Sequence, residues 1–408
     1  MNDLIVRQAR LLGEESLHDI KVKDGRITAV SRAGETEFGA KKIDAEGRLM
    51  LPGFVEPHVH LDKVLLAEQV GEAHSIVEAR ELVKEAKKKF TVSNVTERVE
   101  KIIPWIIQSG VIAIRTHADV DNIAGLVSLE ALLSLREKYR DKVEIQIVAF
   151  PQEGIFKDSS SPELLRKALG MGADVVGGLP EAERSADDSK RHLDFVITLA
   201  KETGKDVDIH CDVLPSSRLI DYYASQIIAQ ELQGRATADH LIALSYYDEN
   251  HASSSISLIK RAGINVIASP CTTMNSGISP TPPLGRGVTR IKEILHAGIN
   301  MAYGIDNIID PYNPFGDFDP LSSGWLFAYL GQLNSIEEMN SVIRMPTYNS
   351  ASILRMNGYG LRPGDRADFN ILNAKSVREA LRTHLKPRYV VKQGEISAEN
   401  IFESKRHD

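Results

Sequence analysis

The chain has 408 residues, 42% hydrophobic and 26% charged, a balance that buries a large core in one or more globular domains. Its 49 Lys and Arg against 56 Asp and Glu give a net charge of -7 with the basic residues scattered, which excludes a broad cationic surface and a sequence-independent nucleic-acid binder. Two cysteines, Cys211 and Cys271, exclude a disulfide framework and a four-thiolate zinc site, and point to a reducing cytoplasm.

The N-terminus lacks a basic start followed by an apolar core, and no stretch reaches ~18 apolar residues. The expectation is a soluble cytoplasmic protein with no membrane and no nucleic acid among its partners. Along the first fifty residues, Leu4 to Val6, Ile20 to Val22 and Arg26 to Val30 are short alternating runs broken by Gly13, Lys23-Asp24-Gly25 and Gly47. They read as small antiparallel strands.

From 51 to 355 strand-like runs alternate with helical stretches at Glu78 to Lys89, Ser128 to Tyr139, Asp194 to Glu202 and Ile291 to His296. The run of lysines in Lys84 to Lys89 reads as a solvated helix face. The strands are MLPGFVEPHVH, VIAIRTH, EIQIVAF, DVVGGL, DVDIHCD, TADHL, INVIASP and INMAYGID. Eight parallel strands, each followed by a helix or long loop, make a TIM (β/α)8 barrel with its chemistry at the C-terminal strand ends. A doubly wound sheet would carry a glycine-rich phosphate turn, and no G-x-G-x-x-G is present.

Segments 269–287 and 307–323, rich in Pro, Gly, Ser and Asp, follow strands seven and eight as candidate walls of a site. Ala367 to Asn373 and Arg388 to Ser397 return to the texture of the first fifty residues. The expected fold is therefore α/β: a catalytic barrel over 51–355 and a small β-sandwich assembled from 1–50 and 356–408.

The strongest local signal is Pro57-His58-Val59-His60, at the end of the first barrel strand. Residues two apart on a strand share a face, so His58 and His60 can together chelate a divalent ion. His117, His210 and His240 also fall at strand ends, and Asp306 closes strand eight. Together they offer three neutral nitrogen donors, one carboxylate and a free position for water, the donor count of a catalytic rather than a structural metal site. Such an ion lowers the pKa of water; Asp306 can then act as general base and His240 can stabilise the tetrahedral adduct.

In DVDIHCD an extended strand puts Asp212 on the inward face with His210 and leaves Cys211 among the helices. Arg115 and His117 either line the pocket or support the ligands. No lysine ends strand three or four to bridge a second ion, so one metal is expected.

At these residues the chain resembles the amidohydrolase superfamily, in its cytosine deaminase branch, which also includes N-isopropylammelide isopropylaminohydrolase. The resemblance runs nearly end to end, through LPGFVEPHVHLDK, IRTHADVD, IQIVAFPQEGIF, GADVVGGLP, DVDIHCD, RGVTRIKEILHAGIN, YGIDN and RPGDRADFNIL. It implies metal ligation by His58, His60, His210 and Asp306, a second-sphere role for His240, and ring contact by Gln152. It also implies one divalent ion (zinc or iron, with manganese chemically admissible) and assembly as a homo-oligomer.

Departures from the branch bear on the substrate. Val213 stands where cytosine deaminase has its proton-shuttling glutamate, Asn307 replaces a second acidic residue, and Tyr312 replaces an aromatic of different type. The isopropylammelide enzyme has a histidine where this chain has Asp212, whose carboxyl is then the candidate proton donor. The expectation is metal-dependent hydrolysis of a C–N bond in a small nitrogen heterocycle other than cytosine, with Asn307, Tyr312, His117 and Gln152 at the substrate. The rival readings are a hydrolase of esters, lactones or phosphonates, and a non-catalytic binding protein of the same fold.

Overall fold

A computed structural model describes residues 4–34, 41–71, 73–275 and 287–402. Eight strands follow one another in sequence order, every neighbouring pair parallel: Phe54–Val59, Val111–Asp119, Glu144–Phe150, Val175–Gly178, Asp206–Cys211, Ala236–His240, Asn265–Ala268 and Met301–Tyr303. Their runs of Val, Ile and Ala are buried on both faces, as parallel strands flanked by helices must be; all of Val111–Asp119 is buried. These are the eight strands expected from the sequence.

The ring closes where the chemistry was expected. Val59 bridges Asp306 in parallel; the His60 N–H donates to the Asp306 carbonyl and the Asp306 N–H to the His58 carbonyl, both at 2.9 Å. First and last strands are thus joined through the backbone of residues proposed as ligands. The approach is close enough that a Cβ on Gly304 would fall 2.7 Å from the His58 Cβ.

The expected helices are present, with one change of role. The Glu78 to Lys89 stretch is the helix Ile76–Lys87, begun by Ser75, whose hydroxyl accepts the Glu78 N–H at 3.2 Å. It is not solvated throughout, because Lys87 is buried (1% exposed). Three carboxylates, Asp119, Asp121 and Glu153, draw that ammonium inward at 3.1, 2.6 and 2.7 Å.

Strands from the two chain ends form one separate sheet. Its order is Glu395–Glu399, Tyr389–Lys392, Phe369–Ile371, Leu49–Pro52, Leu4–Leu11, Leu17–Lys23 and Arg26–Arg32, with Lys41–Asp44 also paired to Leu4–Leu11. The sheet is mixed rather than purely antiparallel, since Leu4–Leu11 runs parallel to both Lys41–Asp44 and Leu49–Pro52. Leu4, Val6, Ile20, Val22, Phe369 and Val391 contribute to its own apolar core. Leu49–Pro52 belongs to this sheet, so the first barrel strand starts at Phe54.

Of the two candidate walls, 307–323 is described, whereas 276–286 of the other lies outside the described residues. Among the described residues no helix is long and apolar enough to cross a membrane.

Candidate active site

The donor atoms of four predicted ligands converge. His60 Nε2 is 3.2 Å from His210 Nε2 and 3.4 Å from Asp306 Oδ1, and His58 Nε2 is 3.5 Å from the same oxygen. A tetrahedron of donors each ~2.1 Å from a central ion has edges of ~3.4 Å, close to these three separations. His58 Nε2, which faces the converging donors, is buried without a hydrogen-bond partner. Buried polar atoms left in this state cost free energy that a bound cation repays. The residues therefore fit one divalent ion.

Local backbone conformation places two of these residues. Asp306 and His240 have φ of +68° and +72°, left-handed values uncommon outside glycine. Each costs about 1–3 kcal/mol, strain that fold closure must hold. These turns end the strands and aim both side chains into one cavity.

Electrostatics prepare the donors. Burial lowers His60 and His210 far below ordinary imidazole values, and the nearby cationic and imidazole groups add to this; neutral rings are the ligating form. Burial also lowers His240 to about 3. His58 goes the other way: burial opposes its charge, but the Asp239 and Asp306 carboxylates outweigh it. Asp306 is held below the usual carboxylate range because contact with His58 overcomes burial.

The cavity above these donors is open to solvent, has a volume of about 70 Å³, and is lined by Gln152, Val213, Asn307 and Tyr312, together with His60, His210, His240 and Asp306. The structure thus brings the expected ring-contacting residues together beside the ligands. Gln152 Oε1 accepts from Lys63 Nζ at 3.3 Å. The Asn307 side chain donates to Asp310, whose carboxyl burial pushes up to about 7.

Two expected site residues lie elsewhere. Asp212 is absent from that lining: φ of +53° breaks the strand alternation that would have carried it inward beside His210. Its carboxylate instead accepts from the Ser217 hydroxyl at 2.6 Å, the Leu219 and Ile220 amides at 2.8 and 3.3 Å, and the Tyr247 hydroxyl at 2.9 Å. It organises the start of the helix Ile220–Ala229 and is not placed to protonate a leaving group.

His117 is also absent from the lining, buried beneath the ligands with its ring centroid 4.3 Å from that of His58. Its Nε2 pairs with Asp208 Oδ1 at 3.2 Å, and Arg115 Nη1 donates to Asp208 Oδ2 at 2.8 Å. Both residues support the donor layer from below. Cys211 is in the core, as expected.

Four supporting residues escaped the sequence reading. Asp239 Oδ2 lies 3.0 Å from His58 Nδ1. Glu56 Oε1 accepts the His58 and Ile305 amides at 2.9 and 3.1 Å, tying strand one to the end of strand eight. Lys63 Nζ lies 3.0 Å from His60 Nδ1 and donates to Asp119 Oδ1 at 2.7 Å. This ammonium stands among His60, Asp62 and Asp119, a further group with metal-like spacing, and supplies a positive charge to it. Strand alternation could have flagged Asp119, two residues after His117, and helical spacing Lys63, three after His60.

Comparison with known proteins agrees with this geometry. The model of the Amidohydrolase family matches residues 41–398. N-isopropylammelide isopropyl amidohydrolase of Pseudomonas sp. (strain ADP) is 30% identical over 403 residues, 97% of this chain and 96% of that protein. Pterin deaminase of Rhizobium rhizogenes (strain K84 / ATCC BAA-868) is 28% identical over 390 residues, 93% and 87% of the two chains. The crystal structure of 5-methylcytosine deaminase from Klebsiella pneumoniae liganded with 5-fluorocytosine superposes with a TM-score of 0.95 at 33% identity, covering 99% of both chains. With a barrel closed through its candidate ligands and likeness running from end to end, this chain belongs to the amidohydrolase family and is an enzyme acting on non-peptide carbon–nitrogen bonds.

Proposed function

We propose that the protein hydrolyses a C–N bond of a small nitrogen heterocycle, releasing ammonia or an amine, with one divalent ion held by His58, His60, His210 and Asp306. The observation that carries this reading is the convergence of those donors, with separations of 3.2 to 3.5 Å, beneath an open cavity lined by Gln152, Val213, Asn307 and Tyr312. When bound, the ion supplies Lewis acidity that makes water nucleophilic near neutral pH.

The remaining steps belong to the side chains. Asp306 accepts the proton of the attacking water and returns it to the departing nitrogen. His240, neutral and facing the same cavity, offers a hydrogen bond to the oxygen that gains charge as the carbon becomes tetrahedral. Gln152 and Asn307 present amides to the polar edge of the ring, and Tyr312 gives it an aromatic surface. Val213 makes part of the wall apolar and transfers no proton, which favours a substrate other than cytosine.

The test is a screen of aminopyrimidines, aminotriazines and pterins by ammonia and amine release, using protein loaded separately with zinc, iron or manganese. Turnover of a heterocycle that chelation abolishes and one of these metals restores is expected. Acid release from esters or lactones without amine release from any heterocycle would overturn the reading.

A further inference from the structure

The cavity holds a cation that the catalytic scheme leaves unused. Ile76 and Arg80, four residues apart on one face of the helix Ile76–Lys87, both line it, beside Thr272, Thr273 and Tyr312. Lys87 fixes the far end of that helix by its pairing with Asp119, Asp121 and Glu153. Arg80 is therefore carried on an anchored element and not on a free loop.

Its charge is unmatched. Arg80 is half-buried, and among the described residues its side chain has no hydrogen-bond or ion-pair partner. Comparably covered arginines elsewhere do have partners: Arg136 pairs with Asp174 at 3.0 Å, and Arg366 with Glu144 at 2.6 Å. The one carboxylate among the described lining residues is Asp306, already committed to the metal donors. The positive charge of Arg80 thus faces a cavity in which no described lining carboxylate is left to meet it. Arg80 also lies close enough to Tyr312 for its charge to oppose the upward push of burial on that phenol.

We propose that Arg80 is a specificity-determining residue that pairs with an anionic group of the substrate away from the scissile bond. Preferred substrates are then heterocycles bearing a ring carboxylate or an ionised ring oxygen. The planar guanidinium offers two parallel N–H donors to such a group. This inference rests on the C–N hydrolase reading and narrows it.

The test uses full-length metal-loaded protein, wild type, Arg80→Gln and Arg80→Lys, with two matched pairs: pterin against pterin-6-carboxylate and cytosine against cytosine-5-carboxylate. Calorimetry with uracil and uracil-6-carboxylate, which have no amine to lose, reads the same preference without turnover. Wild type is expected to favour the carboxylate by about tenfold or more in kcat/KM for at least one pair and in Kd for the uracil pair. Arg80→Gln should bring both ratios towards one, and Arg80→Lys should retain part of them. A wild-type Kd ratio near one, including no binding of either probe, overturns the proposal. So does an Arg80→Gln loss equal on both members of each pair. If no amine is released from any compound, the C–N reading falls while the binding ratio still decides the role of Arg80.

Discussion

Asp239 stands behind two of the proposed metal donors at once: its Oδ2 lies 3.0 Å from Nδ1 of His58 and 3.6 Å from Nδ1 of His210. With Nδ1 of each ring turned to this carboxylate, the Nε2 atoms face His60 and Asp306. Asp239→Asn should weaken metal binding by about 10–100-fold, the usual effect of losing such an orienting carboxylate. Competition with a chelating dye measures it, and an unchanged affinity would remove this role from Asp239.

Asp306 and His240 should be separable from the fold. Asp306→Asn and His240→Asn are each expected to lower kcat/KM by about 10³-fold or more while the circular dichroism spectrum is retained. Near-native rates in both would contradict the assigned chemistry.

Glu181 gives a pH signature outside the metal site. Its Oε1 accepts the Val213 N–H at 2.8 Å, while Oε2 is buried without a partner. Burial, reinforced by the charge of Asp212, pushes this carboxyl up to about 7. The unfolded chain has an ordinary carboxyl near ~4.3, so between these values the folded state holds the extra proton and stability falls as pH rises. Glu181→Gln lacks this contribution. Its stability relative to wild type should increase by about 1–3 kcal/mol between pH 5 and pH 8 in urea denaturation. A difference independent of pH would mean that Glu181 ionises normally.

Lys87 separates a buried role from a surface one. Lys87→Met leaves Asp119, Asp121 and Glu153 facing one another without their shared cation. The expected loss is about 3–5 kcal/mol, read from the urea midpoint, against under ~0.5 kcal/mol for an exposed lysine. Adding Asp121→Asn should recover part of the loss, since one stranded charge is then removed.

The barrel was legible because short, largely buried runs such as Val111 to Ile114 and Ile145 to Ala149 alternate with helical stretches, and the candidate ligands because His58 and His60 are two apart on one strand. Asp212 was misread for a local reason: alternation holds only while the backbone stays extended, and a left-handed residue after Cys211 turns the side chain to a helix start. The lysine run misled in a similar way, since composition describes its average exposure while Lys87 answers to three carboxylates distant in sequence. Arg80 had no local signal, because its placement depends on how a helix after the first strand lies across the barrel mouth. Asp239 was overshadowed by its neighbour His240, although the two approach the site from different levels.

The pairing of Leu49–Pro52 with Phe369–Ile371 couples the peptide just before the first barrel strand to a segment far downstream in the chain. During translation, His58 and His60 leave the ribosome hundreds of codons before the strand that braces the peptide just upstream of them. In that interval the nascent chain carries an unsatisfied strand edge at Met50 and Leu51, open to chaperones or to other nascent chains.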